Sequence, residues 1–199
     1  CLSHPAQREN ALVYTRGLLR EGGRKSLQPT LFRMEAPSSR YESVQQFLAD
    51  SPWDARRLVR AVSEHVAPRV EFAAWVVDDT GFPKDGKSSP GVTRQYSGTL
   101  GKVANCQIGV SLHAVGFSAT QPLGFSLYLP KEWCDDDKRR RTAKIPDEVT
   151  FKTKHELAAD LIQEAASWSI QKHPVLADQA YGDSSAFRAR LDALERPYV

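Results

Sequence analysis

The stretch Phe72 to His113, FAAWVVDDTGFPKDGKSSPGVTRQYSGTLGKVANCQIGVSLH, decides the fold. Its opening run, Phe72-Ala-Ala-Trp-Val-Val77, is apolar and β-branched, reads as a buried strand, and stops at two carboxylates, Asp78 and Asp79. A Gly-, Lys- and Ser-rich connection follows, and a second strand-like run, Cys106 to Val115, returns toward the start of the first. A buried strand that delivers a carboxylate at its end is a rigid support for a metal ligand or a catalytic acid.

Downstream, Leu123 to Leu129 reads as a third strand closed by Pro130, so the first three strands form an antiparallel meander. The connection Pro83 to Gly101 is longer than an ordinary hairpin loop, a length usual for functional segments. Lys131 to Lys144 carries opposed blocks, Asp135-Asp136-Asp137 and Lys138-Arg139-Arg140-Arg141, and reads as an exposed segment. Three consecutive Asp side chains in a loop do not converge on one ion, so no metal is assigned there. Thr153-Lys-His-Glu156 has capping-box spacing and opens a helix to about Ser169, with Leu157, Ala158, Leu161, Ile162, Ala165 and Trp168 inward. Pro174 to Asp178 is a short strand ending on a second carboxylate. Gly182-Asp183-Ser184-Ser185 begins a last helix with Phe187, Leu191 and Leu194 inward, and Arg196 to Val199 starts a further strand.

Upstream, residues 1 to about 70 read as helical. The spacing predicts a helix over Glu9 to Leu19 with Leu12, Val13, Leu18 and Leu19 as its apolar residues, and an irregular connection over Arg24 to Arg40. A short helix over Tyr41 to Ala49 follows. Ser51-Pro52-Trp53-Asp54 then supplies a capping Ser and a first-turn Pro for a helix with Ala55, Leu58, Val59, Val62 and Val66 on its apolar face. Its other face holds Arg56, Arg57 and Arg60, candidates for DNA-phosphate contact or simply a solvated face. The whole order predicts an α/β fold, a mixed sheet with flanking helices, preceded by a helical N-terminal region over 1–70 and followed by the sheet domain over 71–199.

The chain has 199 residues and a net charge of +3, compatible with nucleic-acid binding without demanding it. The longest apolar run, Phe72 to Val77, is too short to span a bilayer, and CLSHPAQREN has no signal-peptide core. Cys1, Cys106 and Cys134 are too scattered for a disulfide framework or a zinc site and read as reduced thiols of a cytoplasmic protein. The opening Cys1, in place of Met, reads as a piece of a longer frame.

Asp78 and Asp178 each end a strand. If those strands are neighbours, the two carboxylates emerge at one edge and repel unless a hard divalent cation lies between them, and Mg²⁺ or Mn²⁺ suits such oxygen donors. No Ser-His-Asp order, phosphate-binding loop or dinucleotide fingerprint competes with this reading. His113, His155 and His173 lie on different elements without metal-ligand spacing and read as structural or surface groups. The alternative for both Asp residues is plain strand capping or pairing with Lys.

Val76-Val-Asp-Asp-Thr-Gly-Phe-Pro-Lys84, Gly91-Val-Thr-Arg-Gln-Tyr-Ser-Gly-Thr-Leu-Gly-Lys102 and Asn105-Cys-Gln-Ile-Gly109 resemble the catalytic core of bacterial insertion-sequence transposases, DDE-superfamily endonucleases with an RNase H-like fold. Leu127-Tyr-Leu-Pro-Lys-Glu-Trp133, Ile145-Pro-Asp147, Lys154 and Ala177-Asp-Gln-Ala-Tyr-Gly182 continue the similarity in order, over roughly Arg8 to Val199. The resemblance implies that Asp78 and Asp178 are the first two catalytic, metal-binding acids. It places the third, a Glu on a helix, later than Val199, so 71–199 would be a partial core, binding metal weakly and inefficient on its own. Asp79 is expected to point to the opposite face of its strand from Asp78. Lys84, Lys87, Arg94, Gln95, Tyr96 and Lys102 become the candidates for holding DNA phosphates, with packing under the loop as the alternative for Tyr96.

The resemblance further implies a Mg²⁺- or Mn²⁺-dependent transposase that cleaves transposon ends and joins the 3′-hydroxyl to target DNA. It would act as a homodimer on paired ends, off any membrane, in the bacterial cytoplasm and on nucleoid DNA. A non-catalytic DNA-binding remnant of a mobile element and a different RNase H-like nuclease are the rival readings.

Overall fold

The computed structural model describes residues 2–199, which divide into two compact units, one running to Leu58 and the other Val59–Val199. Cys1 and its expected free thiol lie outside the described residues. The first unit holds three helices, α1 (Pro5–Leu19), α2 (Leu27–Arg33) and α3 (Arg40–Asp50). Helix α2 occupies the stretch expected to be an irregular connection, because Leu31 and Thr30 bury against neighbouring helices. Helix α1 also turns differently from its apolar pattern. Leu12 and Leu19 are exposed, while Asn10 and Gly17 are buried. The Asn10 amide donates to the Ser43 carbonyl at 3.1 Å, and a Cβ at Gly17 would lie 2.5 Å from Thr30 Cγ2. Close backbone approach and a polar tie, not a leucine stripe, set that packing.

Helix α4 (Ala55–Val66) carries the division between the units within it. The boundary therefore falls earlier than residue 70, because Val59, Val66 and Val70 pack against the core of the second unit. Asp54, rather than Ser51, caps this helix, accepting the Arg57 N–H at 3.1 Å. Leu58 and Val62 stay exposed.

The second unit is built on a mixed sheet of β1 (Ala74–Pro83), β2 (Thr93–Ser97), β3 (Lys102–Val115), β4 (Thr120–Tyr128) and β5 (Val175–Leu176). β1 and β3 pair antiparallel from Ala74–Val115 to Pro83–Cys106. β2 and β4 succeed one another on the far edge of β3, since Cys106 pairs with both Pro83 and Thr93 and Ile108 with both Gly81 and Tyr128. On the other edge of β1 lies β5, parallel, and beyond it Val175 bridges Tyr198 in parallel. The expected α/β class, a mixed sheet with flanking helices, therefore holds.

Two features depart from expectation. β1 does not stop at the acids but continues to Pro83, with Asp78 opposite Ser111 and Asp79 opposite Val110. The long connection is not loop throughout: β2 turns through a 3₁₀ turn, Gly98–Leu100, into β3, and Gly101 closes it at φ 62°.

The segment expected as an exposed loop or helix forms two short helices, α5 (Lys131–Cys134) and α6 (Asp137–Thr142), and only Trp133 of it is buried. Trp133 is fully buried and donates to the Val92 carbonyl at 2.8 Å, and the Arg139 guanidinium stacks 3.7 Å above its ring. Helix α7 (Lys154–Ala166) starts at the expected capping box and buries Ala158, Ala159, Leu161, Ile162 and Ala165 in one core with Trp75, Val77, Val110 and Leu112. After β5 come α8 (Gln179–Gly182) and α9 (Ser185–Ala193), which adds Phe187 and Leu191 to that core.

A Cβ at Gly81 would collide with Ser97 Oγ and lie 2.8 Å from its Cβ. Gly81→Ala is expected to cost about 1–3 kcal/mol in urea unfolding, and Ser97→Gly in the same chain to recover about 1 kcal/mol or more of it. Additive single effects would contradict this contact.

Burial holds His113 and His173 below the ordinary imidazole range, with Asp78 partly opposing the effect at His113. The unfolded chain therefore takes up protons first as pH falls below about 6.5, and stability should drop there while staying flat above it. Urea midpoints at pH about 7.5 and about 5.5 check this, and His173→Gln should reduce the difference.

Candidate metal and DNA site

Strand β1 alternates across the sheet. Trp75 and Val77 enter the core shared with α7, and Asp79 follows them on that side, meeting Lys154 Nζ at 2.8 Å. Asp78 lies on the other side, as expected. Its Oδ1 accepts the Asp79 N–H at 2.7 Å, and its backbone carbonyl accepts Ser111 Oγ–H at 3.3 Å.

The register of β1 and β5 decides where Asp178 falls. Trp75 pairs with Val175 and Val76 with Leu176, so Asp78 and Asp178 stand two residues beyond the last pair on adjacent parallel strands. Strands so paired lie about 4.8 Å apart, so the segments carrying the two acids leave the last pair as neighbours. β5 ends at Leu176, and Asp178 caps α8 by accepting the Tyr181 N–H at 3.1 Å. Both acids thus follow the point where β5 leaves the sheet. Both are exposed, and the sheet face of Asp78 also exposes Phe82, Phe125, Leu127 and Leu176.

Beside them is a group that sequence reasoning left out. Tyr181 is 3% exposed, and its hydroxyl has no hydrogen-bond partner. Burial pushes its ionisation well above the ordinary phenol range, and the charges of Asp79, Asp178 and Asp78 push it further. The charges of three carboxylates are therefore felt at one buried, unpartnered hydroxyl. The signal in the sequence was an aromatic three residues after an acid, too common a pattern to single out.

The chemistry of this donor pair fits a hard divalent cation: two exposed acidic side chains, acceptor-only when ionised, open to water and phosphate oxygens. Asp79 is held apart by Lys154. Among the described residues, no cluster of three or more His, Cys, Asp or Glu is placed to hold a metal.

The DNA candidates separate. Lys84 and Lys87 are exposed on the loop after β1, whose course is held by Asn105 Nδ2 donating to the Lys84 carbonyl at 2.6 Å and the Gly86 carbonyl at 2.9 Å. Arg94 and Tyr96 share the exposed face of the β2–β3 hairpin, where Tyr96 stands opposite Val103, and Lys102 is exposed at the start of β3. Gln95 instead turns inward, its amide donating to the Cys106 carbonyl at 2.8 Å and the Gly91 carbonyl at 3.3 Å. Arg56, Arg57 and Arg60 are exposed on α4, with Arg60 paired to Glu64 at 2.9 Å. No helix among the described residues is long and apolar enough to cross a membrane.

A family model described as DDE superfamily endonuclease matches residues 1–199. The probable transposase for insertion sequence element IS701 of Microchaete diplosiphon is 32% identical over 161 residues, 79% of this chain and 40% of that protein. The chain thus spans well under half the length of this curated relative. A chain of the structure titled as a pre-cleavage Mos1 transpososome superposes over 100% of this chain and 60% of its own, at 10% identity and a TM-score of 0.27, too low to bear on the fold. The match along its full length makes this chain a member of the DDE superfamily endonucleases.

Proposed function

We propose that the protein acts as a DNA transposase, cutting phosphodiester bonds at the ends of an insertion element and joining the freed 3′-hydroxyls to target DNA. The observation that supports this reading is the family match joined to the parallel register of Trp75 with Val175 and Val76 with Leu176, each two residues or three before an acid. The transposase relative supports the substrate. In this reading Asp78 and Asp178 are the catalytic, metal-binding acids. Bound Mg²⁺ or Mn²⁺ would supply Lewis acidity, lowering the pKa of water and neutralising phosphate charge.

The chain's own residues do the rest. Asp78 and Asp178 hold the reacting phosphate's counter-charge at one point on the sheet edge. The inward side of β1, filled by Trp75 and Val77, keeps that point rigid. Lys84, Lys87, Arg94 and Lys102 bind phosphates on either side of the scissile bond, and Tyr96 lies against the same backbone. Arg56, Arg57 and Arg60 on α4 are further candidates for phosphate contact. Two copies working on paired ends, in contact with nucleoid DNA, complete the proposal.

In the transposase, Asp78→Asn and Asp178→Asn should each abolish Mg²⁺-dependent strand cleavage while leaving DNA binding within about 3-fold, since the lost interaction belongs to the reaction step. Retained cleavage in either variant would overturn the assignment. Arg94→Ala combined with Lys102→Ala should lower the slope of log affinity against log salt by about 2 for duplex DNA, the value for two phosphate contacts. An unchanged slope would remove the hairpin from the DNA-binding surface.

A further inference from the structure

The first residues of α7 touch both acid-bearing segments. Lys154 reaches β1 and pairs with Asp79 at 2.8 Å, next in the chain to Asp78. Its neighbour His155 reaches the turn after β5, with Nε2 2.9 Å from the Ala180 carbonyl, two residues past Asp178. The His155 ring also meets Tyr181 edge-on, with centroids 5.3 Å apart, and packs 6.3 Å from Phe187. Each contact spans a long stretch of chain, so neither is a local capping accident.

Helix α7 itself is well anchored. Thr153 and Glu156 exchange hydrogen bonds across its first turn, and five of its residues are buried in the core. By contrast, the sheet fixes Asp78 but not Asp178. β1 is paired with β3 through Pro83, but it loses its β5 neighbour after Val76. β5 is only two residues long, and Asp178 belongs to the turn beyond it. Their separation therefore depends on a body that touches both segments.

We infer that Lys154 and His155 are positioning residues that brace the Asp78 and Asp178 segments from a single helix end and so set the spacing of the metal-binding pair. Lys154 does this through Asp79, which it also withholds from the metal. His155 does it through the Ala180 carbonyl, toward which Nε2 carries the proton. The inference rests on Asp78 and Asp178 being the metal ligands.

Removing Lys154 alone would add net negative charge near a cation site, favouring metal binding and masking lost geometry. The charge-neutral variant D79N/K154M avoids this. Mn²⁺ binding to the chain, read by calorimetry and by the paramagnetic resonance of free Mn²⁺, should weaken about 10-fold in D79N/K154M, the usual scale for partners that orient metal ligands. His155→Ala should weaken it about 3-fold or more, and Lys154→Arg should stay within about 2-fold of the parent, with circular dichroism unchanged in all three.

Folded D79N/K154M and H155A that both bind Mn²⁺ like the parent would overturn the inference. Should D79N/K154M fail to fold, H155A decides by the same criterion. Asp78→Asn and Asp178→Asn are the control. If these leave Mn²⁺ binding unchanged, the metal-site reading itself fails, and if they abolish it while the brace variants do nothing, only the brace fails.

Discussion

The pairing of β1 on both of its edges is the constraint on which the rest depends. Along one edge, β3 holds it from Ala74 to Pro83, and along the other β5 holds it only at Trp75 and Val76. The asymmetry creates the site. Where both neighbours are present, β1 is buried and apolar. Where β5 has left, the strand is still held by its pairing with β3 as far as Pro83. A carboxylate can stand there exposed on a paired strand. The core between β1, β3, α7 and α9 supports that strand, with Trp75, Val110, Leu112 and Ile162 fully enclosed.

The two adjacent acids of β1 illustrate how alternation assigns roles. Asp79 continues the inward series of Trp75 and Val77 and is neutralised by Lys154, which its half-buried setting requires. Asp78 faces outward, bonded only through one carboxylate oxygen to the next N–H, and retains acceptor capacity. An ion pair on one side of the strand and a free carboxylate on the other follow from a single two-residue repeat.

Much of this was legible in the residues, and the failures have physical causes. The apolar run to Val77, the Thr153 capping box and the acid at 178 gave the sheet, its covering helix and the candidate pair. The end of β1 was misread because Asp, Gly and Pro are poor strand formers, and a long partner strand overrode that preference. Strand β2 was hidden because Thr93 to Ser97 is short and lacks an apolar run, and its pairing with Lys102 to Cys106 is what makes it a strand. In α1 the leucines misled because close helix approach at Gly17 and a buried Asn10 set its orientation. The Arg-rich segment looked solvated, yet a buried Trp133 gathers Arg139 onto its ring. That β1 and β5 are neighbours could only be assumed, since about a hundred residues separate Asp78 from Asp178 and the parallel pairing of Trp75 with Val175 is a tertiary contact.

The most direct test of a shared metal at these two acids is iron-directed backbone cleavage. Fe²⁺ replaces Mg²⁺ in oxygen-donor sites, and with ascorbate and peroxide it cuts the nearest chain. Cuts are expected in two places, in β1 around Asp78 and in the turn around Asp178, both suppressed together by excess Mg²⁺ and both lost in Asp78→Asn. Cutting at only one of these segments, or cuts at Asp178 that persist in Asp78→Asn, would contradict a common site.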